Sequence, residues 1–301
     1  MSDIKISVII PVYNALEDLK KLIKSLDKNF NFLLGDITLI NDCSNEETTK
    51  YLQELSKSSL NYKVVHNEEN FGFIKTCNKG MKTVSGDIVV LLNSDTEIPS
   101  NFAEKIIDCF ESDNNIGVAS PISSSSISYS IPLPKGYTIE KMNCILENKH
   151  KTKYPLILAA EGFCFCIRRD VIAKQGYLDE VYGRGYHEEI DFALRAITNG
   201  WRNVLIDNLY VYHKHHASFT LAEKQKLLEQ NDKIFKERWM DFINQYRKEN
   251  KIKNPIEKIF RDLFPLKGFI RFLFSFKTDD SKIYIRILGI KTTIRKFNKC
   301  Q

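Results

Sequence analysis

The segment VVLLNSDTEIP (89–99) carries an apolar strand straight into an amide, a hydroxyl and a carboxylate: Asn93, Ser94 and Asp95. Carboxylate oxygens suit Mg2+ and Mn2+, so Asp95 is a candidate to hold a divalent cation and, through it, a diphosphate. A polar turn after a strand would read the same way in isolation. His213, closing the apolar run LYVYH, offers an imidazole that Mn2+ accepts, although a single histidine is more often packed or exposed than a ligand. Its neighbours His215 and His216 make a zinc site conceivable, but no Cys-x-x-Cys spacing supports one. Glu188 and Glu189 follow a glycine-rich aromatic loop, YGRGYHEE, and two adjacent carboxylates suit a general base that removes a hydroxyl proton. Carboxylates at a helix start also complement its dipole, and Asp191 with Arg195 has the spacing of a structural i,i+4 pair. Cys164 and Cys166 share one strand face and read as core.

The elements that must position these groups follow from periodicity. ISVIIPV (6–12), ITLIND (37–42), YKVVH (62–66) and DIVVLLN (87–93) are short apolar runs read as strands. Helical spacing separates them: Leu16, Leu19, Ile23 and Leu26, then Ile74, Cys77 and Met81. Asn101 with Glu104 is an N-x-x-E capping signal for a helix that buries Phe102, Ile106 and Phe110. Strand–helix alternation predicts an α/β fold with a mostly parallel central sheet flanked by helices. In such sheets ligands bind beyond the carboxyl ends of the strands. Three strand ends there are polar: PVYN (11–14), NDCSNEE (41–47) and NSD (93–95). They read either as one crevice or as three capped turns. Residues 121–155 are Ser- and Pro-rich and predict a long loop near a site. A helix over 188–199, two short strands NVLID and LYVYH, and a long helix from a Thr220–Glu223 capping box to about 249 complete the pattern.

Taken together, SVIIPVYN, INDCSNEET, NEENFGFIKTCNKGMKTVSGDIVVLLNSDTEI and GYHEEIDFALRAITNGWRNVLIDNLYVYH resemble family 2 glycosyltransferases of the GT-A fold, over roughly residues 4 to 219. The resemblance implies a nucleotide-diphospho-sugar transferase that moves a sugar to an acceptor hydroxyl with inversion. It implies a catalytic domain over 1–219, with the donor half at about 1–120 and the acceptor half at about 155–219. A basic helical extension follows over 220–301. Pro11, Tyr13 and Asn14 match the segment lining the nucleotide pocket, Asp42 the acidic residue that reads the base, and Asn70 and Gly72 the loop near the ribose. Asn93-Ser94-Asp95 falls on the family's metal-binding Asp-x-Asp. With Asn93 in the first place, Asp95 becomes the principal ligand of Mn2+ or Mg2+, and His213 matches a position completing that site. Glu189 matches the base, with Glu188 the fallback or an acceptor contact. Asp191, Arg195 and Trp201 match the acceptor side, although Arg195 and Trp201 also read as packing residues.

Composition fits this expectation. The chain has 301 residues, 43% of them hydrophobic, and a net charge of +6. The basicity belongs to residues 241–301, with 15 Lys/Arg against 6 Asp/Glu; residues 1–240 hold 29 against 32. A main body without positive excess argues against a nucleic-acid groove. The N-terminus lacks a secretory pattern, no apolar run spans a bilayer, and seven cysteines in apolar segments read as reduced thiols, so a cytoplasmic chain is expected. FPLKGFIRFLFSFK (264–277) reads equally as a peripheral element on the anionic inner face of a membrane, a packed subdomain or a homo-oligomer contact. SKIYIRILGIKTTIRKF alternates like a hairpin. The expected donor is a UDP- or dTDP-sugar and the expected acceptor a glycan or lipid-linked saccharide of a bacterial surface polysaccharide. Competing readings are a sugar-nucleotide nucleotidyltransferase, for which no glycine-rich triphosphate loop is seen, and a non-catalytic nucleotide-sugar-binding scaffold.

Overall fold

A computed structural model describes residues 3–149, 151–214 and 221–263, together with strands over 274–278, 282–287 and 290–295. Five β-strands alternate with helices through the first half: β1 (Ile6–Val12), α1 (Leu16–Asn29), β2 (Gly35–Asn41), α2 (Glu46–Ser58), β3 (Tyr62–His66), α3 (Phe73–Thr83), β4 (Ile88–Leu92), β5 (Thr96–Glu97) and α4 (Phe102–Ser112). The second half contributes β6 (Ile116–Ser123), α5 (Ile139–Lys149), β7 (Cys164–Arg168), α6 (Arg169–Gln175), α7 (Glu188–Thr198), β8 (Arg202–His213), α8 (Leu221–Asn250) and α9 (Ile256–Leu263).

The central sheet has eight strands in the order β3-β2-β1-β4-β7-β6-β8-β5. Strands β3, β2, β1 and β4 are mutually parallel, β7 runs antiparallel between β4 and β6, and β8 lies parallel to β6. Both faces are covered, so the central strands are apolar throughout rather than alternating. The pleat still sorts their side chains by layer. Ile6, Val8, Ile10 and Val12 of β1 join Leu19 and Leu22 of α1 and Phe102, Ile106 and Phe110 of α4 on one face. Ile9 of β1 and Val89 and Leu91 of β4 meet Ile74, Cys77 and Met81 of α3 and Phe192 and Ala196 of α7 on the other. Strand order leaves β1 toward β2 on one side and toward β4 on the other. The carboxyl ends of β1 and β4 therefore flank a topological switch point, where an open parallel sheet splays its loops apart into a crevice.

Several expectations are corrected. NVLID and LYVYH are one continuous strand, β8; the apparent break is a bulge, where the register on β6 jumps from Pro121–Ile206 to Ile122–Tyr210. The 121–155 stretch is not a single loop. It holds the end of β6 and helix α5, whose Met142 and Leu146 are buried at helical spacing. Asn101 precedes α4 in a left-handed conformation and makes no side-chain cap, while Glu104 accepts instead from Asn31 Nδ2 at 3.1 Å. Among the described residues, the helical part of the extension is α8 and α9. Three antiparallel strands follow, β9 (Phe274–Thr278), β10 (Lys282–Ile287) and β11 (Ile290–Arg295), the last two being the anticipated hairpin. The Thr220 cap, His215, His216 and residues 264–273 of the amphipathic segment lie outside the described residues. Among the described residues no helix is long and apolar enough to cross a membrane.

Candidate active site

A cavity of about 330 Å³ opens at the switch point. Pro11, Tyr13, Asp42, Asn70 and Gly72 line one part of it, Asn93, Ser94, Asp95 and His213 a second, and Glu161, Glu188 and Glu189 a third.

The nucleotide-side loops are held by one carboxylate. Asp42, buried at the end of β2, accepts from Phe71 N and Asn67 Nδ2 at 2.8 Å and from Gly72 N at 2.9 Å. That carboxylate folds the loop after β3 back across the sheet edge, and Gly72 takes the positive φ of 80° that the reversal needs. Asn14 is used differently from its predicted role. Its Oδ1 accepts from Asn45 N and its own N–H donates to Ser44 Oγ, so it ties the loop after β1 to the loop after β2 and does not line the cavity.

Asp95 and His213 meet because β5 pairs antiparallel with the end of β8, in a register that sets Thr96 opposite His213. Asp95 Oδ1 lies 3.3 Å from His213 Nε2. His213 Nδ1 lies 2.9 Å from the Ser125 carbonyl, which can only accept, so Nδ1 carries a proton and donates, while Nε2 faces Asp95. Phe163 stacks on the imidazole at 5.1 Å between ring centroids and fixes its plane. A carboxylate and an imidazole nitrogen at this spacing fit Mn2+ or Mg2+, with the remaining positions left to diphosphate and water oxygens. Among the described residues no cluster of three or more His, Cys, Asp or Glu could supply a full protein ligand set.

Glu188 and Glu189 open α7 directly after a stretch of unusual backbone: Gly185, Tyr186 and His187 all have positive φ, at 143°, 73° and 79°. Bulky residues in that region are strained by about 1–3 kcal/mol each and persist only where the surroundings impose it. Burial, reinforced by the neighbouring Glu189 charge, pushes the Glu188 carboxyl far above the ordinary range. Burial also raises Glu189, to about 7, with the charge of Glu161 adding to the effect. One carboxylate oxygen of each has no hydrogen-bond donor among the described residues, which fits a single proton held on Glu188 and facing an ionised Glu189. A carboxylate poised near neutral pH inside a cavity is suited to general base work.

Asp191, Arg195 and Trp201, expected at the acceptor side, do not reach the cavity. Asp191 is fully buried and accepts from Arg195 Nε at 2.8 Å, Trp239 Nε1 at 2.8 Å and the Tyr182 hydroxyl at 3.2 Å. Arg195 spends its other donors on the carbonyls of Gln175 and Tyr177. Trp201 packs against Gly117 of β6. These are structural positions, as the i,i+4 spacing of Asp191 and Arg195 also allowed.

Glu161, Arg184, Tyr186 and Ile127 line the cavity without having been singled out in sequence. Glu161 accepts from Ser128 N and Tyr129 N, anchoring the serine loop whose Ser125 holds His213. The available signals were a Glu-Gly step entering β7 and an arginine between two glycines in YGRGYHEE.

The crystal structure of GalNAc-T7 with UDP, GalNAc and Mn2+ superposes with a TM-score of 0.59 at 19% identity, covering 89% of this chain and 57% of that one. The fold is thus of the GT-A type, with its crevice at the β1/β4 edge. The chain belongs to glycosyl transferase family 2, whose model matches residues 7–176. A dolichol-phosphate mannosyltransferase of Pyrococcus furiosus is 32% identical over 116 residues, 38% of this chain and 33% of the relative. The putative teichuronic acid biosynthesis glycosyltransferase TuaG of Bacillus subtilis is 31% identical over 104 residues, 34% of this chain and 40% of the relative. The matched stretch thus spans about a third of the length of these curated relatives.

Proposed function

We propose that this chain is a metal-dependent inverting glycosyltransferase. It moves a sugar from a nucleotide-diphosphate donor, a UDP- or dTDP-sugar, to a hydroxyl of a glycan or lipid-linked acceptor in bacterial surface-polysaccharide synthesis. The observation that carries the reading is that one cavity brings the buried Glu188 and the half-buried Glu189 together with Asp95 and His213. Supporting it are the UDP and Mn2+ named with a structure of the same fold and the polysaccharide and lipid-phosphate substrates named for the relatives.

The nucleotide occupies the part of the crevice walled by Pro11, Tyr13, Asp42, Asn70 and Gly72, with Asn93 and Ser94 at its sugar end. Asp95 and His213 would hold Mn2+ or Mg2+, which would supply positive charge to offset the negative charge of the leaving diphosphate. Glu189 takes the proton from the acceptor hydroxyl. Glu188, kept neutral by burial, adds no second negative charge beside it and donates to the Glu189 carboxylate. The hydroxyl oxygen then attacks the anomeric carbon opposite the departing diphosphate, which inverts that centre. The positive excess over 241–301 suits a peripheral contact of residues 255–301 with an anionic membrane carrying a lipid-linked acceptor.

The test is a thermal-shift screen of nucleoside diphosphates and nucleotide sugars with and without Mn2+, followed by transfer assays with the donor that binds. A nucleotide sugar that raises the melting temperature only with the metal, and is then consumed with an acceptor, supports the reading. Pyrophosphate release from a nucleoside triphosphate would replace it with nucleotidyl transfer, and binding without turnover on any acceptor with a scaffold.

A further inference from the structure

The strained residues that deliver Glu188 and Glu189 are held from outside the 7–176 region that matches the family. Helix α8 places Asn231, 4% exposed, under the loop, where its single side-chain amide donates to three backbone carbonyls: Tyr182 at 2.9 Å, Gly185 at 2.8 Å and Tyr186 at 3.1 Å. The next residue, Asp232, accepts from His187 Nε2 at 2.7 Å, and Phe235 one turn on stacks on the His187 ring at 4.6 Å between centroids. Lys236 binds the other oxygen of Asp232 at 3.1 Å and completes the set on α8. Carbonyls from three residues converge on one amide only where the backbone is coiled unusually tightly. Here that coil contains the consecutive positive φ values at Gly185, Tyr186 and His187. Strain of this kind lasts only while the surroundings over-determine it, and α8 supplies contacts to both the backbone and the His187 side chain.

We propose that Asn231 and Asp232 are positioning residues for the transfer reaction: they clasp Gly185–His187 in its left-handed course, and that course aims Glu188 and Glu189 into the cavity. The proposal rests on reading the Glu pair as the site of proton removal. It makes α8 part of the catalytic apparatus although none of its described residues lines the cavity. Neither Asn231 nor Asp232 contacts substrate in this scheme; both act through the backbone and His187.

The experiment uses the full chain and the variants Asn231→Ala, Asp232→Ala and Asp232→Asn, each assayed well below its own melting temperature. Asn231→Ala should lower kcat about 10–100-fold while the donor KM stays within about twofold, because a displaced base costs rate and not donor affinity. Asp232→Asn keeps an oxygen that accepts from His187 and should retain near-wild-type kcat, whereas Asp232→Ala should not. Limited trypsin digestion reads the clasp independently of activity. Cleavage between the exposed Arg184 and the buried Gly185 should speed up in Asn231→Ala relative to cleavage after Lys57 on α2. An unchanged kcat, an unchanged Arg184-to-Lys57 cleavage ratio, or equal impairment by Asp232→Asn and Asp232→Ala would overturn the proposal. If Asn231→Ala does not fold, the Asp232 pair decides. If the wild-type chain transfers no sugar, the glycosyltransferase reading fails by itself and the cleavage ratio still tests the clasp.

Discussion

Nε2 of His213 faces Oδ1 of Asp95 at 3.3 Å while Nδ1 on the far side of the same ring donates to the Ser125 carbonyl. An imidazole nitrogen and a carboxylate oxygen so arranged are two ligand atoms that a single divalent cation can share. Asp95→Ala should abolish transfer and Mn2+-dependent donor binding. His213→Ala should keep measurable activity but raise the Mn2+ concentration for half-maximal rate about 10–100-fold, within the range by which metal affinity responds to loss of a supporting group. Metal titrations of the two variants decide this. An unchanged Mn2+ requirement in His213→Ala removes the histidine from the site.

Removing the base should separate chemistry from binding. Glu189→Gln should lower kcat by about 10²–10⁴, the usual contribution of a positioned general base, and leave nucleotide-sugar affinity near wild type. The carboxyl is pushed up to about 7 by burial, so it is ionised only above that value. The wild-type kcat/KM should therefore rise with pH and level off beyond about 7, and the variant should lose that rising limb. Transfer by Glu189→Gln at the wild-type rate would move the base assignment to Glu188.

Glu188 makes its own prediction, in stability. Its carboxyl is raised by burial and by Glu189, so the folded state favours the protonated form. That contribution is fully present below the unfolded pKa near 4.5 and is lost as pH rises through the folded value. Glu188→Gln carries no proton to lose, so it should match wild type near pH 4 and become progressively more stable than wild type as pH rises. Each unit separating the folded from the unfolded pKa corresponds to about 1.4 kcal/mol at the plateau. Urea melts of both proteins from pH 4 to 9 measure the divergence, and parallel curves would mean that Glu188 ionises normally.

Much of this site was readable because strand ends are encoded locally. An apolar run ending in Asn93-Ser94-Asp95 announces both the strand and its polar mouth, and the parallel order then brings it beside Pro11 and Tyr13. Glu161 and Arg184 were not readable, since each enters the cavity through a loop whose course depends on contacts far along the chain. Asn231 is the extreme case: one of three asparagines in a polar helix, given meaning only by three carbonyls more than forty residues away. Asn14, Asp191, Arg195 and Trp201 had plausible residue types near the right motifs, but sequence spacing cannot tell a side chain that faces the crevice from one turned into a neighbouring loop or helix.

The placement of Trp201 can be tested against the acceptor role through its contact with Gly117. A Cβ added at Gly117 would lie 2.7 Å from Trp201 Cβ and 2.9 Å from Val171 Cγ2, closer than packed atoms tolerate. Val171 belongs to the core on the α7 face of the sheet, and the Trp201 atom is a Cβ fixed to its backbone, so neither contact is the free end of a flexible side chain. Gly117→Ala should therefore destabilise the fold by about 1–3 kcal/mol, as overpacking usually does. Trp201→Ala should also destabilise, by removing half-buried aromatic surface, but it removes the Trp201 Cγ that would lie 2.9 Å from the new methyl, leaving the contacts with Trp201 Cβ and Val171 Cγ2. The double variant should consequently be more stable than the sum of the two losses predicts, since residues in contact are not additive. Denaturant melts of the four proteins close this cycle. If Trp201 only packs, kcat and the acceptor KM of Trp201→Ala stay within about twofold of wild type at a temperature where it is fully folded, a change far smaller than loss of a substrate-positioning contact would produce. A large rise in acceptor KM with additive stability losses would instead return Trp201 to the acceptor side.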